Sequence, residues 1–155
     1  DLLSNTNGLV ACAVAAGCEI GIDVENLERA GDVMELADRF LAPAEAADLR
    51  SLPPAGRSLR FFTYWTLKEA YVKARGLGLS IPLDGFALDL ADPARIRIAF
   101  EPGLDDDAAR WSFATFRPTG NHLMAVAVGQ PPGRPPAPDL QARLIPVVPL
   151  ADRSG

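Results

Sequence analysis

The stretch RSLRFFTYWTLKEAYVKARG, residues 57–76, is the longest helical run in this 155-residue chain. Phe61, Phe62, Trp65, Ala70 and Val72 supply apolar contacts along it, and Gly76 stands where a left-handed residue would close the helix. A helix over roughly 57–75 should be buried on one side and give the other elements a surface to pack on. The same stretch holds both lysines of the chain, Lys68 and Lys73, all other basic side chains being arginine. Glu69 and Lys73, four apart, share a helix face, and such a bare pair is most often a surface contact contributing ~0.3–0.5 kcal/mol. Lys68 points about 100° away around the helix, so one carboxylate does not account for both lysines.

Working outward toward the N-terminus, DVMELADRFL (32–41) places Val33, Leu36, Ala37, Phe40 and Leu41 at helical spacing, with Asp32 as N-cap. Pro43 opens a second short helix, AEAADLRSL (44–52), and PPAG (53–56) stops it. Two short β-prone runs, 8–15 and 19–25, lie further upstream, separated by a small turn-like break, and predict a hairpin or adjacent strands. Downstream, FALDL (86–90), RIRIAF (95–100), WSFATF (111–116) and HLMAVAV (122–128) read as four strands. Two strands, three helices and four strands make an α+β arrangement, a mainly antiparallel sheet packed against about three helices. Seven of the 14 prolines fall after residue 130, which predicts one domain over 1–130 and a Pro-rich C-terminal arm over 131–155, extended along the domain or disordered.

With 48% hydrophobic residues, the chain is long enough for one real core and short for two. A net charge of -5 argues against broad binding to nucleic acid or an anionic membrane, both of which need clustered positive charge. The longest apolar run, GLVACAVAAG (8–17), is far shorter than the ~20 residues that span a bilayer. Cys12 and Cys18 have no histidine cluster nearby to complete a zinc site, so they read as small core side chains in a reducing, cytoplasmic setting. The chain opens at Asp1 and turns apolar at once, as a piece of a longer protein would.

The chemistry begins with IGIDVE (20–25). Asp23 and Glu25, two apart on a strand, emerge on one face while Ile22 and Val24 point the other way into the core. Alone, this is also what a half-buried edge strand looks like. Combined with Glu69, the pair gives three hard oxygen ligands of the kind magnesium takes together with substrate phosphates. Lys68 and Lys73 beside them then read as phosphate clamps, since a compact ammonium suits a single phosphoryl oxygen. GLGLS (76–80) is not a phosphate cradle on this reading, because it follows a helix C-terminus, where the dipole repels anions. His122, the sole histidine, reads as structural, and Trp65 and Trp111 as core aromatics.

IGIDVE, FLAPAEAADL (40–49) and WTLKEAYVKARGLGLSIPLDGFAL (65–88), in that order, resemble the 4'-phosphopantetheinyl transferases, specifically the two-halved surfactin-synthetase-activating type and its second half. The resemblance implies the fold of that family and a magnesium-dependent transfer of phosphopantetheine from coenzyme A to a serine of an apo acyl or peptidyl carrier protein. It assigns Asp23, Glu25 and Glu69 to magnesium, makes Glu69 the base for the serine, directly or through a water, and puts Lys73 on the pyrophosphate. LLSNTNGL (2–9) matches the family's serine-histidine stretch, which places Ser4 and Asn5 on the coenzyme. Asn5 stands where histidine is usual and replaces a cationic phosphate contact by a neutral hydrogen bond. The other half, which lends the nucleotide its basic residues, would be supplied by a missing N-terminal segment, another chain or a second copy. A non-catalytic relative that binds carrier protein or coenzyme A is the alternative, and an unrelated magnesium-dependent phosphohydrolase a third.

Overall fold

A computed structural model describes residues 3–7, 9–12, 17–28, 31–76, 80–134 and 143–147. The long helix α3 runs over Pro54–Arg75 and ends at Gly76, which adopts φ 65° as a left-handed C-cap. It starts three residues before the apolar periodicity does. Pro54 occupies its first turn, where a missing N–H costs nothing, so PPAG both follows one helix and opens the next. Before it come α1 (Val33–Phe40) and α2 (Pro43–Ser51). Asp32 caps α1 by accepting from the amides of Met34 and Glu35 at 3.0 and 3.3 Å.

The first strands differ from the sequence expectation. β1 (Leu3–Thr6) and β2 (Leu9–Cys12) pair antiparallel, with Thr6 opposite Leu9. The two residues between them are Asn7 and Gly8, the dipeptide that most strongly marks a tight hairpin. β3 (Glu19–Asn26) therefore does not pair with β2. It pairs antiparallel with β7 (His122–Gly129), from Glu19 opposite Gly129 to Asn26 opposite His122. β7 in turn pairs with β6 (Trp111–Thr119), giving the three-stranded order β3-β7-β6. A separate hairpin joins β4 (Phe86–Asp89) to β5 (Arg97–Phe100). Helices and antiparallel sheets thus make the expected α+β arrangement. No helix among the described residues is long and apolar enough to cross a membrane. The 131–134 and 143–147 segments carry neither helix nor strand, and most of the GLGLS loop and of the proposed arm lies outside the described residues.

The main core forms between α3 and one face of the three-stranded sheet. Phe61, Leu67, Ala70 and Tyr71 of α3 meet Leu123, Ala125 and Ala127 of β7 there, together with Phe86 and Trp111. Small side chains let the layers close. A Cβ on Gly21 would sit closer than 3.0 Å to the Ala70 carbonyl oxygen and the Ala74 amide nitrogen, so β3 lies flush on α3 only as glycine there. Ile22 faces the opposite side, in a smaller cluster with Val126 and Val128.

Candidate functional site

The strand alternation has an outcome the sequence reading did not foresee. Residues 21, 23 and 25 of β3 share the face that packs on α3, so the carboxylates point toward the main helix, and Ile22 points to the smaller cluster. Because β3 and α3 run side by side, Asp23 meets Lys73 and Glu25 meets Trp65. The Lys73 ammonium donates to Asp23 Oδ1 at 2.8 Å and to Ser4 Oγ at 3.2 Å. Ser4 Oγ also accepts from the Val24 amide at 3.3 Å, which ties β1 to β3 beneath the ammonium. The indole N–H of Trp65 donates to Glu25 Oε1 at 3.3 Å.

Asp23 is only 5% exposed, and its Oδ2 is buried without a hydrogen-bond donor among the described residues. Burial drives its pKa up to about 7, opposed by the hydrogen bond from Lys73 and reinforced by the neighbouring charge of Glu25. Glu69 is half-buried, and burial pushes it up as well, with Lys73 lowering and Glu25 raising it. Two acids side by side, one with a desolvated oxygen lacking a donor, form an environment that a cation would relieve. The donor set is all carboxylate oxygen, which suits a hard ion such as magnesium. Among the described residues, however, no three acidic, histidine or cysteine side chains converge as a ready metal cluster. Asp23 and Glu25 are brought together, whereas Glu69 lies within electrostatic range of Glu25 and Lys73.

Asp23 and Glu25 border a cleft of about 530 Å³ whose lining also includes Asn5, Asn7, Asn26 and Glu28. Asn5, exposed on β1, is part of this lining. His122 supports the rim from below: its Nε2 lies 2.8 Å from the Asn7 carbonyl oxygen and its Nδ1 2.7 Å from Thr119 Oγ1.

Lys68 is a correction. It was expected beside the carboxylates on a ligand phosphate, but it is fully buried on the far side of α3. Its ammonium pairs with Glu45 Oε1 at 2.6 Å, donates to the Phe86 carbonyl and sits 4.2 Å from the centre of the Phe86 ring. Burial lowers its pKa, and Glu45 opposes the shift. Glu45, 1% exposed, also accepts from the amides of Ala42 and Leu88 at 2.9 Å each. The pair is a bolt joining α2, α3 and β4, out of reach of any ligand in the cleft.

A second polar centre also escaped the sequence reading. Asp106 accepts from Tyr71 Oη at 2.7 Å, Trp111 Nε1 at 2.8 Å and Arg110 Nε at 2.7 Å, and pairs with Arg75 at 2.5 Å. Burial alone would raise its pKa, but the hydrogen bonds from Tyr71, Arg110 and Arg75 prevail and hold it at about 2. This cluster anchors the C-terminal turns of α3, and hence the backbone that carries Lys73.

A sequence profile of the 4'-phosphopantetheinyl transferase superfamily matches residues 19–127. The 4'-phosphopantetheinyl transferase HetI of Nostoc sp. (strain PCC 7120) is 39% identical over 127 residues, covering 81% of this chain and 50% of that protein. The 4'-phosphopantetheinyl transferase Sfp of Bacillus subtilis (strain 168) is 30% identical over 129 residues, covering 83% of this chain and 54% of that protein. The chain thus spans about half the length of these relatives. A holo-ACP-synthase from Plasmodium yoelii superposes with a TM-score of 0.51 at 12% identity, over 72% of this chain and 92% of that one, which is a likeness of fold. On the profile match and these identities, the chain belongs to the 4'-phosphopantetheinyl transferase superfamily, with relatives of the Sfp-like type.

Proposed function

We propose that this chain carries the acidic half of an active site that transfers 4'-phosphopantetheine from coenzyme A to a serine hydroxyl of an apo acyl or peptidyl carrier protein. The observation that carries the reading is Asp23: a buried carboxylate with one oxygen on Lys73 and the other without a donor among the described residues, beside Glu25 at a cleft. Asp23 and Glu25 would hold a magnesium ion, with Glu69 as the third carboxylate. The ion supplies charge neutralisation on the pyrophosphate.

The chain's own residues do the rest. Glu69, with its pKa raised by burial, takes the serine proton, directly or through a water. The serine oxygen forms a bond to the β-phosphorus, and the bond from that phosphorus to the bridging oxygen breaks, releasing adenosine 3',5'-bisphosphate. Lys73 steadies the growing negative charge on the leaving oxygen. Ser4 holds the Lys73 ammonium in place, and Asn5 offers a neutral amide to the coenzyme. Because the chain spans about half of its relatives, the nucleotide's remaining contacts come from a preceding half, another chain or a second copy. The reading places the reaction in the cytoplasm, where coenzyme A and reduced thiols occur.

Intact-mass measurement of an apo carrier protein, incubated with the chain, coenzyme A and magnesium chloride, tests this. Addition of one phosphopantetheine arm, lost on chelation with EDTA, supports transfer. Absence of the arm, with coenzyme A or carrier protein still bound in calorimetry, would instead identify a binding scaffold.

A further inference from the structure

We propose that Trp65 is a positioning residue for the acidic pair: its indole N–H fixes the Glu25 carboxylate at the cleft, and an aromatic stack behind it fixes the indole. The proposal rests on the cation-assisted reading of Asp23 and Glu25 given above. Its ground is the hydrogen bond from Trp65 Nε1 to Glu25 Oε1 at 3.3 Å. The ring behind that N–H is clamped from two helices. Phe61 of α3 stacks on it with centroids 6.1 Å apart and planes 24° apart, and Phe40 of α1 meets it edge-on at 5.9 Å and 78°.

The choice of side chain has a physical logic. Asp23 and Glu25, when both ionised, repel each other, so a donor on Glu25 helps to hold the two carboxylates at one place. Indole is a donor without charge, so it orients the carboxylate and leaves its charge in place. Geometry along the helix completes the case. Phe61, Trp65, Glu69 and Lys73 follow one another four residues apart and so form one ridge of α3, aromatic in its first half and ionic in its second. Trp65 is where the rigid half meets the charged half.

The variant Trp65→Phe keeps a ring in the stack and deletes the N–H. Calorimetric titration of the full chain with manganese chloride should show binding about ten-fold weaker than wild type, the value of one hydrogen bond to a charged group. Melting followed by circular dichroism should show that the variant is folded. Asp23→Asn provides the second arm. If it abolishes binding while Trp65→Phe binds as wild type does, the proposal fails and the cation reading stands. If wild type does not bind the ion, or Asp23→Asn binds it unchanged, the reading fails and takes the proposal with it. A measurement on the unmodified tryptophan stands independently: the chain has two indole N–H resonances, and in Glu25→Ala that of Trp65 should move upfield and exchange faster with water. An unmoved resonance overturns the proposal.

Discussion

Gly21→Ala should be among the most damaging single-methyl changes available in this chain. The added Cβ would meet the Ala70 carbonyl oxygen and the Ala74 amide nitrogen at under 3.0 Å, whereas ordinary contact begins near 3.4 Å. Both obstacles are backbone in the middle of a helical ladder, so no side-chain rotation relieves them and β3 must retreat from α3. Overpacking of this kind costs about 1–3 kcal/mol, and with backbone on both sides the upper end applies. For a domain of this size, about 3 kcal/mol corresponds to a fall in Tm of roughly 6–12 °C. The functional loss should exceed the stability loss, because the same retreat lengthens the 2.8 Å contact between Lys73 and Asp23. The assay is urea unfolding and carrier-protein labelling on the same preparations. Gly120→Ala is the control, since a Cβ there would meet nothing within 4 Å, and it should stay within about 0.5 kcal/mol of wild type. If Gly21→Ala unfolds at the same urea concentration as that control, β3 and α3 are not in the close register on which the site depends.

Lys68→Met should destabilise by about 3–5 kcal/mol in urea unfolding, because it leaves the buried Glu45 carboxylate without its cation, and adding Glu45→Gln should recover part of the loss. Glu69→Gln should abolish carrier labelling and leave the melting curve near that of wild type, since it removes a half-buried charge without opening a cavity. Asp106 has a folded pKa of about 2 against an ordinary 3.8, so the unfolded chain binds the proton more readily. Its contribution to stability is complete above pH 4 and is lost as pH falls toward 2. Asp106→Asn should therefore be less stable than wild type at pH 6 and show a flatter decline between pH 4 and pH 2 in urea midpoints.

What the sequence disclosed follows from the range over which each signal acts. The helix over residues 54–75 and its glycine cap are written in neighbouring side chains, and so are the Asp32 cap and the strands from Phe86 onward. Strand pairing is not local. The two β-prone runs near the N-terminus looked like partners, yet β3 pairs with β7, about a hundred residues later, because Ile20, Ile22 and Val24 need Val128, Val126 and Met124 beside them to complete one face. The Asn7-Gly8 dipeptide between the true partners β1 and β2 was a legible signal that the stronger apolar run downstream of it masked.

The two lysines show where residue type stops being enough. Lys68 and Lys73 lie on one helix among the same neighbours in sequence, and the chemistry of an ammonium beside carboxylates fits both equally well. Helix geometry separates them: five positions apart, they point about 140° from one another, so only one can face β3. Lys73 falls on the ridge with Trp65 and Glu69 and meets Asp23, while Lys68 falls on the ridge toward α2 and meets Glu45. The sequence held that distinction in its spacing, but assigning each lysine to its partner required knowing that residue 45 is an acid buried behind the helix. Both then use the same physics, a lysine compensating a desolvated carboxylate, with opposite results. Glu45 has both carboxylate oxygens hydrogen-bonded, whereas Asp23 keeps one buried oxygen without a donor among the described residues, so the same pairing leaves one carboxylate satisfied and the other open to a further partner.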